Sequence, residues 1–293
     1  MIDQFLRYLT FEKRYSQHTL TAYEDDLNQF KSFLKFTFEI DNPEDAAHMH
    51  LRSWIVSLSD QGLTATSINR KIACLKSFYK FLQSREYLHK NPASRLKPLK
   101  TAKKLPSFVK ENEMVKLLDR VDFPDDFEGT RDKVLIEVFY TTGIRLAELI
   151  GLKAADVNYF DSSIKVLGKR NKERVIPISD SLVNYIRRYL EIRSDMAVGE
   201  DNNKLFVTSK GEDLYPMLVY RVIKRYLGVV TTLSKKSPHV LRHTFATHLL
   251  DKGADLNAVK DLLGHTSLAA TQVYTHNSLE KLKSAFDQAH PKA

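Results

Sequence analysis

Apolar residues recur at spacings of three and four along the first ninety residues, a pattern that an α-helix gathers onto one face. The clearest run is Leu20, Tyr23, Leu27, Phe30, Phe33 and Leu34. We predict four helices in residues 1–90, with Ser16 capping the second and Thr64 or Ser67 opening the fourth. Because no strand-like alternation interrupts this pattern, the segment predicts a compact all-helical domain.

Prolines at positions 92, 98 and 106 interrupt the helical pattern, and basic residues lie between them. Such a polar, proline-punctuated segment is typical of a solvated linker, and equally of a strap that lies over DNA phosphates. We therefore predict a basic linker over residues 91–107. Its candidate DNA contacts are Lys100, Lys103 and Lys104.

Residues 108–293 are again mostly helical, apart from one region of strand. Ser163–Leu167 and Arg174–Ile178 are β-rich runs on either side of a polar connection, which indicates a hairpin. Gly143 is the predicted end of a helix that precedes them. The fold class we predict is mainly α: an all-helical N-terminal domain, then a mostly helical domain with a small antiparallel β-hairpin or sheet.

The chain is basic, with 45 Lys and Arg against 36 Asp and Glu in 293 residues and a net charge of +9. This excess favours a polyanionic partner such as nucleic acid. Cys74 is the only cysteine, which excludes an intrachain disulfide and fits a reducing cytoplasm. It lies in the apolar stretch Ile72-Ala73-Cys74-Leu75, which predicts a buried thiol. We find no signal peptide and no apolar run near the ~20 residues that span a bilayer, so we expect a cytoplasmic protein without membrane association.

The second domain carries, in order, side chains that together can grip and attack a phosphodiester. They are Arg145, His239, Arg242, His265 and Tyr274. Guanidiniums fork onto phosphate oxygens, imidazoles transfer protons, and a phenol can be a covalent nucleophile once neighbours activate it. Each has an ordinary interpretation as well: a salt-bridging arginine, a helix-capping histidine, a packing tyrosine. The ordered set on a basic chain predicts phosphodiester chemistry.

A metal site is the alternative interpretation of the histidines His239, His243 and His248. The sequence has no cysteine cluster and no H-E-x-x-H pattern, so we do not expect a metal. A phosphate-binding G-x-x-x-x-G-K-[ST] loop is also missing, so we expect chemistry without ATP. We predict no cofactor, with the two arginines in the place of a divalent cation.

The motifs that contain these residues resemble those of the tyrosine recombinases, the phage integrase-like family, and most closely its Xer subfamily of chromosome-dimer resolvases. The resemblance runs over nearly the whole chain. It rests on Thr142-Gly143-Ile144-Arg145 with Glu148, Leu167-Gly168-Lys169, Pro238-His239-Val240-Leu241-Arg242-His243, Leu263-Gly264-His265 and Val273-Tyr274-Thr275.

The resemblance implies that Tyr274 attacks DNA to give a 3′-phosphotyrosyl link, that Glu148 supports the site, and that Lys169 protonates the departing oxygen. One departure stands in the hairpin, where Arg170 occupies the place of a common glycine. The choice between Lys169 and Lys172 as the general acid therefore stays open. We add Arg170, Lys172 and Arg174 to the candidate DNA contacts.

By the same resemblance, residues 1–90 form a core-binding DNA-binding domain, and residues 108–293 form the catalytic domain with a C-terminal tail helix. The expected substrate is double-stranded DNA at a dif-like site, cut and rejoined during cell division by a homo- or hetero-tetramer. A paralogous recombinase and a DNA translocase that activates the reaction stay open as partners. Three rivals remain: an integrase of a mobile element, a type IB topoisomerase, and a DNA-binding protein without catalysis.

Overall fold

Most of the chain is α-helical, as the spacing of the apolar residues predicted. The computed structural model describes residues 1–101, 107–168, 172–196, 198–199 and 202–264. The chain divides into two compact units, residues 1–104 and 105–293. The N-terminal unit contains α1 (Ile2–Phe11), α2 (Gln17–Phe38), a 3-10 helix (Pro43–Asp45), α3 (His48–Asp60) and α4 (Ala65–Ser84).

The C-terminal unit adds seven α-helices and one sheet among its described residues. The helices are α5 (Glu111–Arg120), α6 (Phe127–Thr142), α7 (Leu146–Gly151), α8 (Asp180–Asp195), α9 (Pro216–Val230), α10 (Pro238–Asp251) and α11 (Leu256–Leu263). The strands are β1 (Val157–Asn158), β2 (Ser163–Leu167) and β3 (Glu173–Pro177). The predicted fold class is therefore confirmed.

The N-terminal unit buries an aromatic core in which the rings of Phe30 and Trp54 lie 4.9 Å apart. Thr64 caps α4 as predicted, accepting a hydrogen bond from the Ser67 amide. Ser16 occupies the N-cap position of α2, but its hydroxyl contacts the Thr19 hydroxyl and no helix amide. The predicted burial of the only cysteine thiol is also confirmed.

The first part of the predicted linker belongs to the N-terminal unit. Ala93 and Leu96 are buried in its core, and the Asn69 side chain bonds both the amide and the carbonyl of Leu99. These contacts satisfy backbone groups that a solvated linker would leave to water. The N-terminal unit therefore extends beyond residue 90, where we predicted its end.

The predicted hairpin is confirmed as β2 and β3, which pair antiparallel with Ile164 opposite Ile176 and Val166 opposite Arg174. The two-residue strand β1 pairs with β2 and completes a sheet in the order β1-β2-β3. So short a strand carries no alternation that sequence analysis could detect.

Helix α6 is the centre of the C-terminal core and is buried along most of its length. It ends at Gly143, in the left-handed conformation with φ +58°, as predicted. A Cβ there would lie 2.3 Å from the Phe245 ring of α10, so no other residue fits without displacing that ring. This close approach sets the end of α6 directly against α10.

Candidate active site

Arg145 is the N-cap residue of α7, two residues after the Gly143 turn. Its guanidinium donates to Glu148 Oε1 at 2.7 Å and to the Gly264 carbonyl at 3.1 Å, and its amide donates to Glu148 Oε2 at 2.8 Å. The three-residue spacing of Arg145 and Glu148 predicts that they share a helix face. They pair instead at the N-cap, where Arg145 stands just ahead of the helix and the Glu148 carboxylate bonds back to its amide.

Arg242 projects from α10 and bridges two other elements. Its Nη1 donates to the Gly143 carbonyl at 2.6 Å and its Nη2 to the Leu263 carbonyl at 2.7 Å. Burial, and then the positive charge of Arg145, lower the pKa of Arg242 to about 10. The guanidinium therefore stays charged at neutral pH.

Three arginines converge on the C-terminal end of α11. The consecutive carbonyls of Leu262, Leu263 and Gly264 accept hydrogen bonds from Arg174, Arg242 and Arg145, respectively. The carbonyls at a helix C-terminus carry partial negative charge, which favours guanidiniums there. Arg145 and Arg242 are far apart in sequence, but they are held side by side at the carbonyls of Gly264 and Leu263. These two residues immediately precede His265 in the sequence.

Glu148 is the carboxylate of this cluster, and its side chain is only 6% exposed. Burial alone would raise its pKa, but hydrogen bonds from the Arg174 side chain and the Arg145 amide outweigh burial and lower the pKa to about 2. Arg174 contributes two of these bonds, at 3.2 Å to Oε1 and 2.7 Å to Oε2. The carboxylate is therefore ionised at neutral pH.

Replacing Glu148 with glutamine should lower the free energy of unfolding of the C-terminal unit by about 3 kcal/mol at neutral pH, at ~1.4 kcal/mol per pKa unit. The stabilisation by this carboxylate is present above its unfolded-state pKa of 4.5 and is lost as the pH falls through about 2. The difference in free energy of unfolding between variant and wild type should therefore narrow as the pH falls from 4.5 to about 2.

Circular dichroism melts at several pH values would measure this difference. Fluorescence of Trp54, the chain's one tryptophan, reports the N-terminal unit and serves as the internal control, since its transition should not change. An equal difference at about pH 6 and about pH 2.5 would contradict the prediction.

His239 is exposed on the first turn of α10, which begins at Pro238 as predicted. His248 is buried instead, between the Tyr140 hydroxyl and the Val109 carbonyl, each 3.0 Å from a ring nitrogen. Burial lowers the pKa of His248. Among the residues that the structure describes, no group of three or more His, Cys, Asp or Glu side chains is placed to hold a metal ion.

The candidate DNA contacts are found in different surroundings. Lys100 and Lys172 are exposed. Arg174 is only 4% exposed, and Glu148 and Leu262 occupy its nitrogens, so the prediction that it contacts DNA from the surface is wrong. The remaining candidates lie outside the described residues: Lys103, Lys104, Lys169, Arg170, His265 and Tyr274.

The sequence matches the phage integrase family over residues 107–281, and the N-terminal SAM-like domain of phage integrases over residues 2–86. The first match spans more than half of the chain. The chain belongs to the phage integrase family of tyrosine recombinases. Within that family its relatives place it in the Xer subfamily.

Two relatives illustrate this placement. A tyrosine recombinase XerC of Chlorobaculum parvum is 40% identical, over 100% of this chain and 94% of the relative. A tyrosine recombinase XerD of Staphylococcus haemolyticus is 36% identical, over 100% of this chain and 99% of the relative. The protein is accordingly a site-specific recombinase, which is an enzyme that acts on DNA.

Solved structures show the same fold at lower identity. A XerH site-specific recombinase in a post-cleavage complex with a palindromic difH substrate superposes with a TM-score of 0.71 at 23% identity, covering 97% of this chain and 93% of that chain. A lambda integrase dimer bound to a core site superposes with a TM-score of 0.66 at 19% identity, covering 93% and 98%. In this recombinase, none of the described helices is long and apolar enough to cross a membrane.

Proposed function

We propose that this recombinase cuts and rejoins DNA through Tyr274, with Arg145 and Arg242 binding the phosphate that is attacked. The observation that carries the proposal is the pairing of these two guanidiniums at the end of α11. Together with Arg174 and Glu148 they form a half-buried cluster of three positive charges and one negative charge. Charges fixed in such a place stabilise a negatively charged transition state far more than they would in water.

In the proposed reaction, the Tyr274 oxygen attacks the phosphorus as the bond to the 5′-oxygen breaks. The tyrosine proton passes to an acceptor, for which His239 is suited because it is exposed three residues before Arg242 on α10. Lys169 or Lys172 supplies a proton to the departing 5′-oxygen. The product is a 3′-phosphotyrosyl link and a free 5′-hydroxyl.

Rejoining reverses these steps with the 5′-hydroxyl of a partner strand as the nucleophile. Because the phosphotyrosyl ester keeps the energy of the original phosphodiester, strand transfer consumes no nucleotide. The site needs no cofactor in this scheme, since the guanidiniums supply the charge that a divalent cation supplies elsewhere.

The proposed substrate is a dif-like chromosomal site, and the proposed role is resolution of chromosome dimers during cell division. Two findings support this proposal: the curated relatives are XerC and XerD recombinases, and the XerH relative was solved with a difH substrate. Strand exchange between two duplexes needs four active sites, so we propose a tetramer on DNA, with a paralogous recombinase and a translocase activator as further partners. A chromosomal substrate would place the enzyme in the cytoplasm.

A plasmid with two direct repeats of the candidate chromosomal site tests this proposal. The purified enzyme, alone or with its paralogue, should delete the intervening segment and leave a repeat-free plasmid supercoiled. Deletion only at the ends of a mobile element would overturn the dimer-resolution role. Relaxation of the repeat-free plasmid without deletion would instead indicate a topoisomerase.

A further inference from the structure

Arg174 belongs to β3, but its side chain is buried beside Glu148 and the C-terminal end of α11. All three guanidinium nitrogens are engaged: Nη1 and Nη2 donate to the two Glu148 oxygens, and Nε donates to the Leu262 carbonyl at 2.8 Å. A buried arginine held in this way is rigid, because Glu148 and Leu262 occupy all three of its guanidinium nitrogens.

The Arg174 side chain also packs against two glycines. A Cβ added at Gly264 would lie 3.3 Å from Nη1 and 3.4 Å from Cδ and Cζ of Arg174. A Cβ added at Gly168 would lie 3.4 Å from Nη1. In the sequence, Gly168 and Gly264 immediately precede Lys169 and His265. One side chain thus touches the backbone just ahead of two proposed catalytic residues.

Through Glu148, the same side chain reaches a third catalytic residue. Glu148 Oε1 accepts from both Arg145 at 2.7 Å and Arg174 at 3.2 Å, while Oε2 accepts from Arg174 and the Arg145 amide. Without Arg174, Glu148 Oε2 would lose the hydrogen bond that it accepts from the Arg174 side chain. The carboxylate could then turn toward the Arg145 guanidinium. Arg145 would then be more fully neutralised and its direction less well fixed.

We propose that Arg174 is a positioning residue of this recombinase. It orients Arg145 through Glu148 and fixes the end of α11 and the base of the β2–β3 hairpin, so that the catalytic side chains are preassembled. The inference rests on the phosphate-binding role proposed above for Arg145 and Arg242. It gives a function to a basic residue whose side chain is buried.

Arg193 is the matched control for the cost of removing a buried arginine. It lies in α8, is 7% exposed, and donates to backbone carbonyls of the segment that follows the helix, including those of Val198 and Lys204. Among the described residues, its hydrogen-bond partners all lie between Val198 and Leu205, outside the candidate site. Loss of Arg193 should therefore destabilise the same unit and leave the geometry of the catalytic cluster unchanged.

The test compares Arg174→Gln, Arg174→Lys and Arg193→Gln in the full-length protein. Each is mixed in excess with a nicked suicide duplex that carries the recombination site, at a temperature at which all of them are folded. The rate of covalent complex formation at saturating protein is measured separately from DNA affinity. We expect Arg174→Gln to cleave roughly 10²-fold more slowly with unchanged affinity, since small displacements of catalytic groups cost about that much.

Arg174→Lys keeps a positive charge but cannot contact Glu148 and Leu262 together, so it should cleave at an intermediate rate. If Arg174→Gln does not fold, Arg174→Lys is the variant that is compared with the wild type and Arg193→Gln. The pH profile adds a second readout. In Arg174→Gln the pKa of Glu148 rises from about 2, because burial is no longer offset by Arg174, so cleavage should fall off at a higher pH than in the wild type or in Arg193→Gln.

Two results would overturn the inference: wild-type cleavage rates in both Arg174 variants, or equal slowing by Arg174→Gln and Arg193→Gln with the same pH profile. Failure of the proposed function is distinguishable, because the wild type and Arg193→Gln would then form no covalent complex either.

Discussion

Replacing Tyr274 with phenylalanine should abolish covalent DNA complexes, lowering their rate of formation by on the order of 10⁴-fold or more, the scale on which removal of a covalent nucleophile acts. The change deletes one oxygen atom and leaves the ring in place, so DNA affinity should not change. Gel separation of protein–DNA adducts formed on a nicked suicide duplex would measure the loss, and a binding titration on intact DNA would measure affinity.

Tyr215→Phe is the matched control, because Tyr215 is an exposed tyrosine at the start of α9. It should form adducts at the wild-type rate. If Tyr274→Phe formed adducts as fast as Tyr215→Phe, Tyr274 would not be the nucleophile.

Replacing Arg242 with lysine should slow cleavage at saturating DNA by at least about 10²-fold, the usual cost of losing one donor to a developing oxyanion. A lysine keeps the charge but is a single point donor. It cannot bridge the Gly143 and Leu263 carbonyls and also bind a phosphate oxygen, as a planar guanidinium can. Single-turnover cleavage rates would show the effect as a loss of rate that added DNA does not restore.

Arg221→Lys is the control for this substitution. Arg221 is exposed on α9, where its guanidinium contacts the Tyr215 hydroxyl, and its replacement should not change the cleavage rate. A wild-type rate in Arg242→Lys would show that the fork geometry of Arg242 contributes nothing to catalysis.

Local sequence signals predicted much of the fold because local physics determines it. The end of α6 needs a left-handed residue, and Gly143 supplies it. Pro238 lacks the amide hydrogen that the first turn of α10 does not use. The limits of the linker were not predictable in this way, because the packing of Ala93 and Leu96 depends on residues far away in sequence.

The spacing of Arg145 and Glu148 predicted that they lie close together, but not that Arg145 stands at the N-cap, and it did not predict the convergence of three arginines on α11. That convergence depends on how α10, α11 and the sheet pack, which no spacing within one element encodes. Tertiary structure was needed to show that Arg145 and Arg242 bind adjacent carbonyls.

Arg174 was misassigned because a basic hairpin was treated as a uniformly exposed surface. Strand alternation contained the correct signal. Arg174 stands two residues before Ile176, so both side chains point to the same, buried face of β3, whereas Lys165 on β2 points outward. An arginine on the buried face of a strand needs a carboxylate partner, and Glu148 is that partner.

Mapping the covalent adduct identifies both the nucleophile and the phosphate that it attacks. The wild-type protein would be trapped on a suicide duplex carrying the candidate site, digested with protease, and analysed by mass spectrometry. The expected result is a single peptide in which Tyr274 bears a 3′-linked nucleotide, at one position of the site. An adduct on another residue, or at a 5′ end, would contradict it.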